Sequence, residues 1–442
     1  MSTTEKELRD HFSQKFADFR KSMNGSQIDQ IKQLRVRAME TLTEHGFPLA
    51  RDEEYKYTPI TRTLLKSVEF TADYPTEPAI VPPFSEHLLP GLKGYTLVFW
   101  NGRLVYNSHD STDELLVEPL DQLNPEQQNR LCGYLGKLIN SRADAFAALN
   151  TAFLNQGCAI TIKPGASTEL PLIIYHLSDG SQGTVYSQSR HLVLAGKNSR
   201  ATVIEIFKNL STESESFHNT ACEIFLEENA RLTLYKIQTD CTESILVDNT
   251  HIDQRSNSQL FCNTISTTGK MIRNNLSISV NGEYCESHMN GLYLLNQKSH
   301  VDNHTLVDHR MANSFSNELY KGIVDDTATG VFNGKIYVQQ DAQKTNAFQS
   351  NKNILLSDRA SVNTKPQLEI WADDVKCSHG ATTGQLDPDQ VFYLRSRGLD
   401  EQQARGLLLY AFATEFLDNI SVPELQDHLQ KVIADRLYHQ KS

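Results

Sequence analysis

The hydrophobic pattern divides the chain into stretches of different period. Near the N-terminus apolar residues recur at helical spacing: Leu8, Phe12, Phe16 and Phe19. This period predicts an amphipathic helix. From about residue 157 to about 375 the chain shows short alternating runs instead, such as "ATVIEIF" and "RLTLYKI", and these predict strands. We therefore expect a long strand-rich core after an N-terminal helical region.

The N-terminal region carries further predicted elements. Residues 71–94 are proline-rich and predict a linker or an irregular wrap. The run "GYTLVFWNGRLVYN" (94–107) predicts a hairpin, because Asn101-Gly102 favours a tight turn between two strands. Residues 120–156 return to helical character. This region, 1–156, is predicted to be helical with a linker and a small hairpin.

Weak internal repetition marks the strand-rich stretch. Three similar segments begin at Asn198, Asn229 and Asn257, at intervals of 31 and 28 residues. Repeats of this length indicate a solenoid or a propeller, and no blade signature favours the propeller. We expect a β-helix-like solenoid, in which stacking buries the inner face of each coil. Four further positions recur at similar spacing: Cys222, Cys241, Cys262 and Cys285. They are either small apolar core residues or soft metal ligands on successive coils.

Helix signals return at the C-terminal end of the chain. Asp387 is a candidate N-cap, Pro388 suits the first helical position, and Gly398 is a stop signal. Asp400 is expected to cap a longer helix. Its predicted apolar stripe is Leu407, Leu408, Ala411, Phe412 and Phe416. A helical tail of this kind either caps the solenoid or presents a face to a partner.

Charge and composition exclude several classes of protein. The formal net charge of −12 disfavours a nucleic-acid-binding protein, which needs a basic face. No run of about 18 apolar residues predicts a membrane span, and the first residues lack the apolar core of a signal peptide. Seven scattered cysteines do not form a disulfide framework, so a reducing cytoplasm is expected. The chain also lacks the P-loop, GxGxxG, CxxC, HExxH and GxSxG motifs.

Two histidine-containing segments contain candidate metal-ligating or reactive residues. In "SHVDNHTLVDH", His300, Asp302 and His304 would face one side of a strand, as metal ligands or as a hydrogen-bonded polar ladder. In "WADDVKCSHGATTGQLD", Cys377 and His379 are two positions apart and also share a strand face. They could ligate iron through sulfur and nitrogen, form an activated thiol, or simply decorate a strand.

Several blocks of the sequence resemble the SufB/SufD family of iron–sulfur cluster assembly proteins. The longest is "DDVKCSHGATTGQLDPDQVFYLRSRGLDEQQARGLLLYAF" (373–412), and blocks at 46–60, 146–157 and 300–357 extend the resemblance over essentially the whole chain. SufB members typically have "EHEATTSK" where this chain has "CSHGATTGQ". The sequence is therefore more similar to the SufD members.

The resemblance implies a mainly β fold with a right-handed parallel β-helix core. The implied divisions are an N-terminal helical region (1–156), the β-helix (157–385) and a C-terminal helical domain (386–442). It also implies a non-catalytic scaffold that pairs with a SufB-like subunit, with a homodimer as an option for the isolated chain. A SufC-like ABC ATPase, which alone binds ATP, would dock on the C-terminal helices. The implied docking residues are Phe392, Tyr393, Arg395, Arg397, Gly398, Leu408 and Phe412.

The same resemblance implies a transient nascent iron–sulfur cluster at the subunit interface, shared with the partner. His379 aligns with a histidine that is a ligand candidate in the family, and Cys377 is the weaker candidate. Two other functions stay open from the residues alone. One is a β-helix enzyme acting on polysaccharide, although no paired acidic constellation is obvious. The other is an interaction module in which the histidine and cysteine are structural.

Overall fold

The computed structural model describes residues 4–22, 28–67, 83–108, 114–139, 141–142, 144–181, 183–211 and 214–438. Half of the predicted linker, residues 71–82 of 71–94, therefore lies outside the described residues. The described helices are α1 (Glu5–Ser22), α2 (Asp29–His45), α3 (Ile60–Ser67), α4 (Pro125–Leu131), α5 (Ala145–Ala152), α6 (Pro388–Ser396), α7 (Glu401–Leu417) and α8 (Pro423–Tyr438). Among them, none is long and apolar enough to cross a lipid bilayer.

Nineteen strands lie between and among these helices in the described chain. They are β1 (Tyr95–Trp100), β2 (Arg103–Asn107), β3 (Leu115–Pro119), β4 (Gly157–Ile162), β5 (Leu172–Ser178), β6 (Val185–Ala195), β7 (Arg200–Asn209), β8 (Ser216–Leu226), β9 (Arg231–Asp240), β10 (Ser244–Gln254), β11 (Gln259–Ser266), β12 (Met271–Val280), β13 (Glu286–Leu295), β14 (His300–His309), β15 (Phe315–Val324), β16 (Thr329–Val338), β17 (Asn346–Leu355), β18 (Ser361–Ile370) and β19 (Lys376–Gly384).

The strands form two sheets that alternate along the chain. The first sheet has the order β19-β17-β15-β13-β11-β9-β7-β5-β1-β2, and the second has the order β18-β16-β14-β12-β10-β8-β6-β4-β3. From β4 onward every neighbouring pair is parallel, so each coil contributes one strand to each sheet. The predicted fold, a mainly β parallel solenoid with helices at both ends, is confirmed.

The repeated asparagines lie at one corner of the solenoid. Asn198, Asn229 and Asn257 have φ near +60°, a left-handed conformation that asparagine adopts more readily than most residues. The amide of each donates to a carbonyl of the next coil, at 2.9–3.0 Å. Asn229 Nδ2 also donates to Asn198 Oδ1 at 2.8 Å. The repeat read from the sequence is therefore the turn that closes each coil.

The cysteine series lies inside the solenoid, between the two sheets. Cys222, Cys241, Cys262 and Cys285 are all buried, and they pack with leucine, isoleucine and valine side chains of both sheets. Burial raises the pKa of the Cys262 thiol to about 12. Burial also raises the pKa values of the Cys222 and Cys285 thiols. These three thiols are therefore protonated at neutral pH, whereas soft metal ligation needs the thiolate. The series belongs to the apolar core, as the burial preference of cysteine indicates.

The N-terminal region and the solenoid share their sheets. The predicted hairpin is confirmed as β1 and β2, and both turn residues, Asn101 and Gly102, have positive φ. Strand β1 then pairs in parallel with β5, and β3 pairs with β4. The sheets therefore extend past the division predicted at residue 157. Helices α1, α2 and α5 cover the outer face of the second sheet through an apolar cluster that includes Phe12, Phe146 and Phe217.

The C-terminal helices cover the outer face of the first sheet. Leu409, Phe416 and Leu425 pack with Tyr235 and Ile237 of β9 in one buried cluster. The predicted caps are confirmed: the Asp387 side chain accepts from the Asp389 amide, and Asp400 forms a capping box with Gln403. Helices α7 and α8 are therefore part of the folded body, and their removal would expose the first sheet.

The predicted stripe on α7 is wrong for most of its members. The buried face consists of Ala404, Gly406, Leu409, Ala413, Phe416 and Leu417. Of the predicted set, only Phe416 belongs to it, while Leu407 is 41% exposed. Apolar residues lie on every side of this helix, so their spacing does not select one face. The second apolar side is left partly open to solvent.

Candidate functional site

The last coil of the solenoid is uncovered. Strands β19 and β18 end the two sheets, so the outer edge of each lacks a neighbouring strand within the described chain. Neither strand has a buried residue. Edge strands present unpaired backbone N–H and C=O groups that another chain can pair with. The solenoid is therefore closed by helices on its sides but open at this end.

Strand register places Cys377 and His379 on this open end. Cys377 is opposite Ala347 and His379 is opposite Gln349, and both β17 residues are buried. Because paired residues point the same way, Cys377 and His379 continue the inward-facing column of the solenoid. With no coil above them, this end of the column is open to solvent. The sequence spacing predicts this shared face, and the register confirms it.

The two side chains differ in exposure and chemistry. His379 is exposed and makes no hydrogen bond or ion pair with the described residues. Cys377 is half-buried and packs against the apolar cluster that contains Ala347 and Ala372. This burial raises the pKa of the Cys377 thiol. His379 therefore offers an accessible imidazole nitrogen, whereas Cys377 is a protonated and partly covered thiol.

A buried carboxyl group lies beneath His379, and the sequence patterns did not indicate it. Glu318 of β15 is 1% exposed, and its Oε2 accepts a 2.7 Å hydrogen bond from Gln349 Nε2. Register aligns Glu318, Gln349 and His379 on three neighbouring strands, so Glu318 is roughly 10 Å behind His379. Burial raises the pKa of Glu318 to about 7. Aligning successive coils residue by residue would have found it, because Glu318 is at the position held by Met289 one coil earlier.

Large apolar side chains surround the open end. Trp371 is 52% exposed, next to Ile370 at the end of β18, and its ring makes an edge contact with Tyr337. Phe348 of β17 is exposed on the outer face of the first sheet and contacts the Phe315 ring. Exposed apolar groups of this size beside unpaired strand edges are typical of a protein interface.

The predicted docking residues divide into two sets. Helix α6 has no buried residue: Phe392 and Tyr393 are 72% and 57% exposed, and Arg395, Arg397 and Gly398 are also exposed. On α7, Leu408 and Phe412 are half-buried. Phe412 faces the solenoid, because Lys321 Nζ is 4.2 Å from the centre of its ring and donates to its carbonyl.

The second histidine segment holds the N-terminal region onto the solenoid. Thr58 Oγ1 is 3.1 Å from His300 Nε2, and His304 contacts Asp302 at 3.1 Å and Glu54 at 3.3 Å. Arg273 pairs with Asp302 at 2.6 Å. These contacts occupy both ring nitrogens of His304, Nε2 of His300 and the Asp302 carboxylate, which a metal ion would need. The arrangement is the hydrogen-bonded ladder, extended by the charged segment around residue 54.

Comparison with known proteins places nearly all of the chain in one family. The family model "SUF system FeS cluster assembly, SufBD core domain" matches residues 176–412, and the model "SufBD protein N-terminal region" matches residues 6–174. The chain is 33% identical to an iron–sulfur cluster assembly SufBD family protein of Synechocystis, over 94% of this chain and 93% of that protein.

Two further relatives carry a more specific name. The iron–sulfur cluster assembly protein SufD of Escherichia coli is 31% identical, over 90% of this chain and 91% of that protein. The protein of the same name from Bacillus subtilis is 24% identical over 66% of each chain. Both family models and full-length relatives thus agree with the resemblance seen in the sequence, and this chain belongs to the SufBD family of iron–sulfur cluster assembly proteins.

Proposed function

We propose that this chain is the SufD-type, non-catalytic scaffold of a complex with a SufB-like subunit and a SufC-like ABC ATPase. The observation that carries the proposal is His379, exposed without a partner in the described chain at the uncovered end of the solenoid. A SufB-like subunit would pair with the open edges of β18 and β19 and bury Trp371. The nascent iron–sulfur cluster is the cargo of this interface, held between His379 and groups of the partner.

Shared ligation explains how a cluster could be released. An imidazole nitrogen is a borderline ligand, and a ligand set divided between two chains opens when the chains move apart. The ATPase would bind the exposed residues of α6, beside the partly open apolar side of α7. Lys321 of β15 contacts the Phe412 carbonyl at 2.7 Å, so movement of α7 would reach the strand that carries Glu318. ATP would be bound and hydrolysed by the partner only.

Replacing His379 with alanine should lower the amount of assembled cluster at least about tenfold, because a ligand nitrogen is lost. The stability of the fold should not change, because the His379 side chain is exposed. The measurement is iron and acid-labile sulfide per complex after anaerobic reconstitution with the SufB-like subunit and the ATPase. His45→Ala, an exposed histidine on α2, is the matched control. Cys377→Ala should have the smaller effect, since its thiol is protonated. Unchanged cluster content in a fully assembled His379→Ala complex would refute the site and favour an interaction module without a metal role.

The double substitution Phe392→Ala and Tyr393→Ala should weaken ATPase binding more than about tenfold, because exposed aromatic residues commonly dominate interface affinity. Both side chains contribute nothing to the buried core, so the variant should fold normally. Titration calorimetry with the purified ATPase gives the dissociation constant. Leu170→Ala, an exposed apolar residue far along the chain, controls for general loss of surface hydrophobicity. Equal affinities for wild type and the double variant would place the docking surface elsewhere.

A further inference from the structure

Three potential ligand side chains converge inside the solenoid, far from its open end. His176 of β5, His191 of β6 and Glu205 of β7 come from three consecutive strands, and their ligand atoms all lie within 4.8 Å of one another. The three residues are 4%, 1% and 3% exposed. Seven strand spacings of about 4.8 Å separate β5 from β19, so this cluster is roughly 34 Å from His379. It is a second, separate feature of the molecule.

The ring nitrogens of this cluster lack partners. Neither nitrogen of His191 has a hydrogen-bond partner in the described chain, nor does Nε2 of His176. Buried polar atoms are nearly always hydrogen-bonded, because an unpaired one loses its hydration without compensation. Neither histidine makes any other hydrogen bond or ion pair with the described chain. The orphaned nitrogens therefore point to something that accepts their lone pairs or protons.

Aromatic neighbours fix the two imidazole rings. His176 is stacked between Phe99 and Phe207, with ring centres 5.5 and 4.6 Å apart, on the three adjacent strands β1, β5 and β7. The Phe99 ring also makes an edge contact with His191 at 5.2 Å. The rings therefore cannot turn away to find other partners. A site whose ligands are held before binding loses little entropy when an ion arrives.

The charge around the cluster is unbalanced. Glu205 and Asp248 share a single cation, since Lys236 Nζ is 2.7 Å from Glu205 Oε2 and 2.6 Å from Asp248 Oδ2. Two carboxyl groups therefore face a single ammonium group in the interior. A bound cation would add a second positive charge there, and imidazole nitrogens are common ligands of metal ions.

We propose that His176, His191 and Glu205 bind one divalent first-row transition-metal ion inside the solenoid. Two histidines and one carboxylate form a ligand set typical of Fe(II), and Zn(II) accepts the same donors. Glu205 would bridge the ion and Lys236. This site is independent of the function proposed for His379.

The test uses the full chain, refolded without oxygen in the presence of Fe(II), Zn(II) or Co(II), because the site is enclosed by strands. Wild-type protein should retain one ion per chain after gel filtration in the presence of a weak chelator. Co(II) should show the visible absorption of a nitrogen- and oxygen-ligated ion. His176→Phe keeps the ring stack and removes the ligand nitrogen, and Glu205→Gln keeps the side-chain shape. Each should lower the affinity for all three ions at least about tenfold.

His309→Phe is the matched control, since His309 is equally buried but lies on β14, far from the cluster. It should bind metal like wild type, and so should His379→Ala, which separates this site from the cluster site. If His176→Phe does not fold, Glu205→Gln and the metal-dependent rise in the melting temperature of wild type decide the question. Wild-type protein without stoichiometric metal would overturn the proposal. So would foldable variants that retain wild-type affinity and the same Co(II) spectrum.

Discussion

Replacing Lys236 with methionine will destabilise the folded chain by about 3–5 kcal/mol at neutral pH, the usual cost of breaking a buried ion pair by removing one partner. Lys236 is buried inside the solenoid, 2.7 Å from Glu205 and 2.6 Å from Asp248. These carboxylates raise the pKa of Lys236 above its ordinary value, so its ammonium group stays charged. Methionine fills a similar volume but leaves two carboxylates together in an apolar interior.

Denaturant unfolding followed by circular dichroism measures this loss. Lys197→Met is the matched control, because the ion pair of Lys197 with Glu228 at 2.8 Å is exposed and worth less than about 1 kcal/mol. Adding Glu205→Gln and Asp248→Asn to Lys236→Met should recover much of the stability by removing the uncompensated charges. Equal unfolding midpoints for Lys236→Met and Lys197→Met would show that Lys236 does not hold the interior together.

The solenoid could be predicted from the sequence because its local signals agree with its fold. The alternating runs and the capping residues Asp387 and Asp400 each act over a few residues, and each appears in the structure as expected. The asparagine repeat could be seen in the sequence, and the structure shows that its members form turns. The predicted buried face of α7 is wrong because the local sequence information is ambiguous there. A helix that is apolar all round has no preferred face until the neighbouring sheet is known.

The site residues also differ in whether local sequence spacing predicts them. Cys377 and His379 are two positions apart on one strand, so their shared face is a local property and could be predicted. Glu318 and the cluster of His176, His191 and Glu205 depend on register between coils. The coils differ in length, as the intervals of 31 and 28 between Asn198, Asn229 and Asn257 show, so no fixed spacing brings these residues together. Family resemblance does not reveal them either. It identifies motifs along the chain, and it does not show which residues of different coils lie side by side.

The carboxyl group behind His379 gives the open end of the solenoid a pH dependence of its own. Burial raises the pKa of Glu318 from its ordinary 4.5 to about 7 in the folded chain. Below about pH 4.5 the group is protonated in both folded and unfolded chains, so it does not lower the stability of the folded chain. Between these two values only the unfolded chain releases the proton, so stability falls as pH rises. Above about pH 7 the full cost is present, roughly 3 kcal/mol for a shift of this size.

Glu318→Gln should therefore leave stability unchanged in acid and raise it by up to roughly 3 kcal/mol in mild alkali, because glutamine has no proton to lose. Its carbonyl oxygen can still accept the hydrogen bond from Gln349 Nε2. Denaturant midpoints at a series of pH values, read by the fluorescence of Trp371 near the open end, measure the difference. Glu369→Gln, an exposed carboxylate on β18, should follow the wild-type profile. Parallel pH profiles for Glu318→Gln and wild type would mean that Glu318 is ionised in the folded chain.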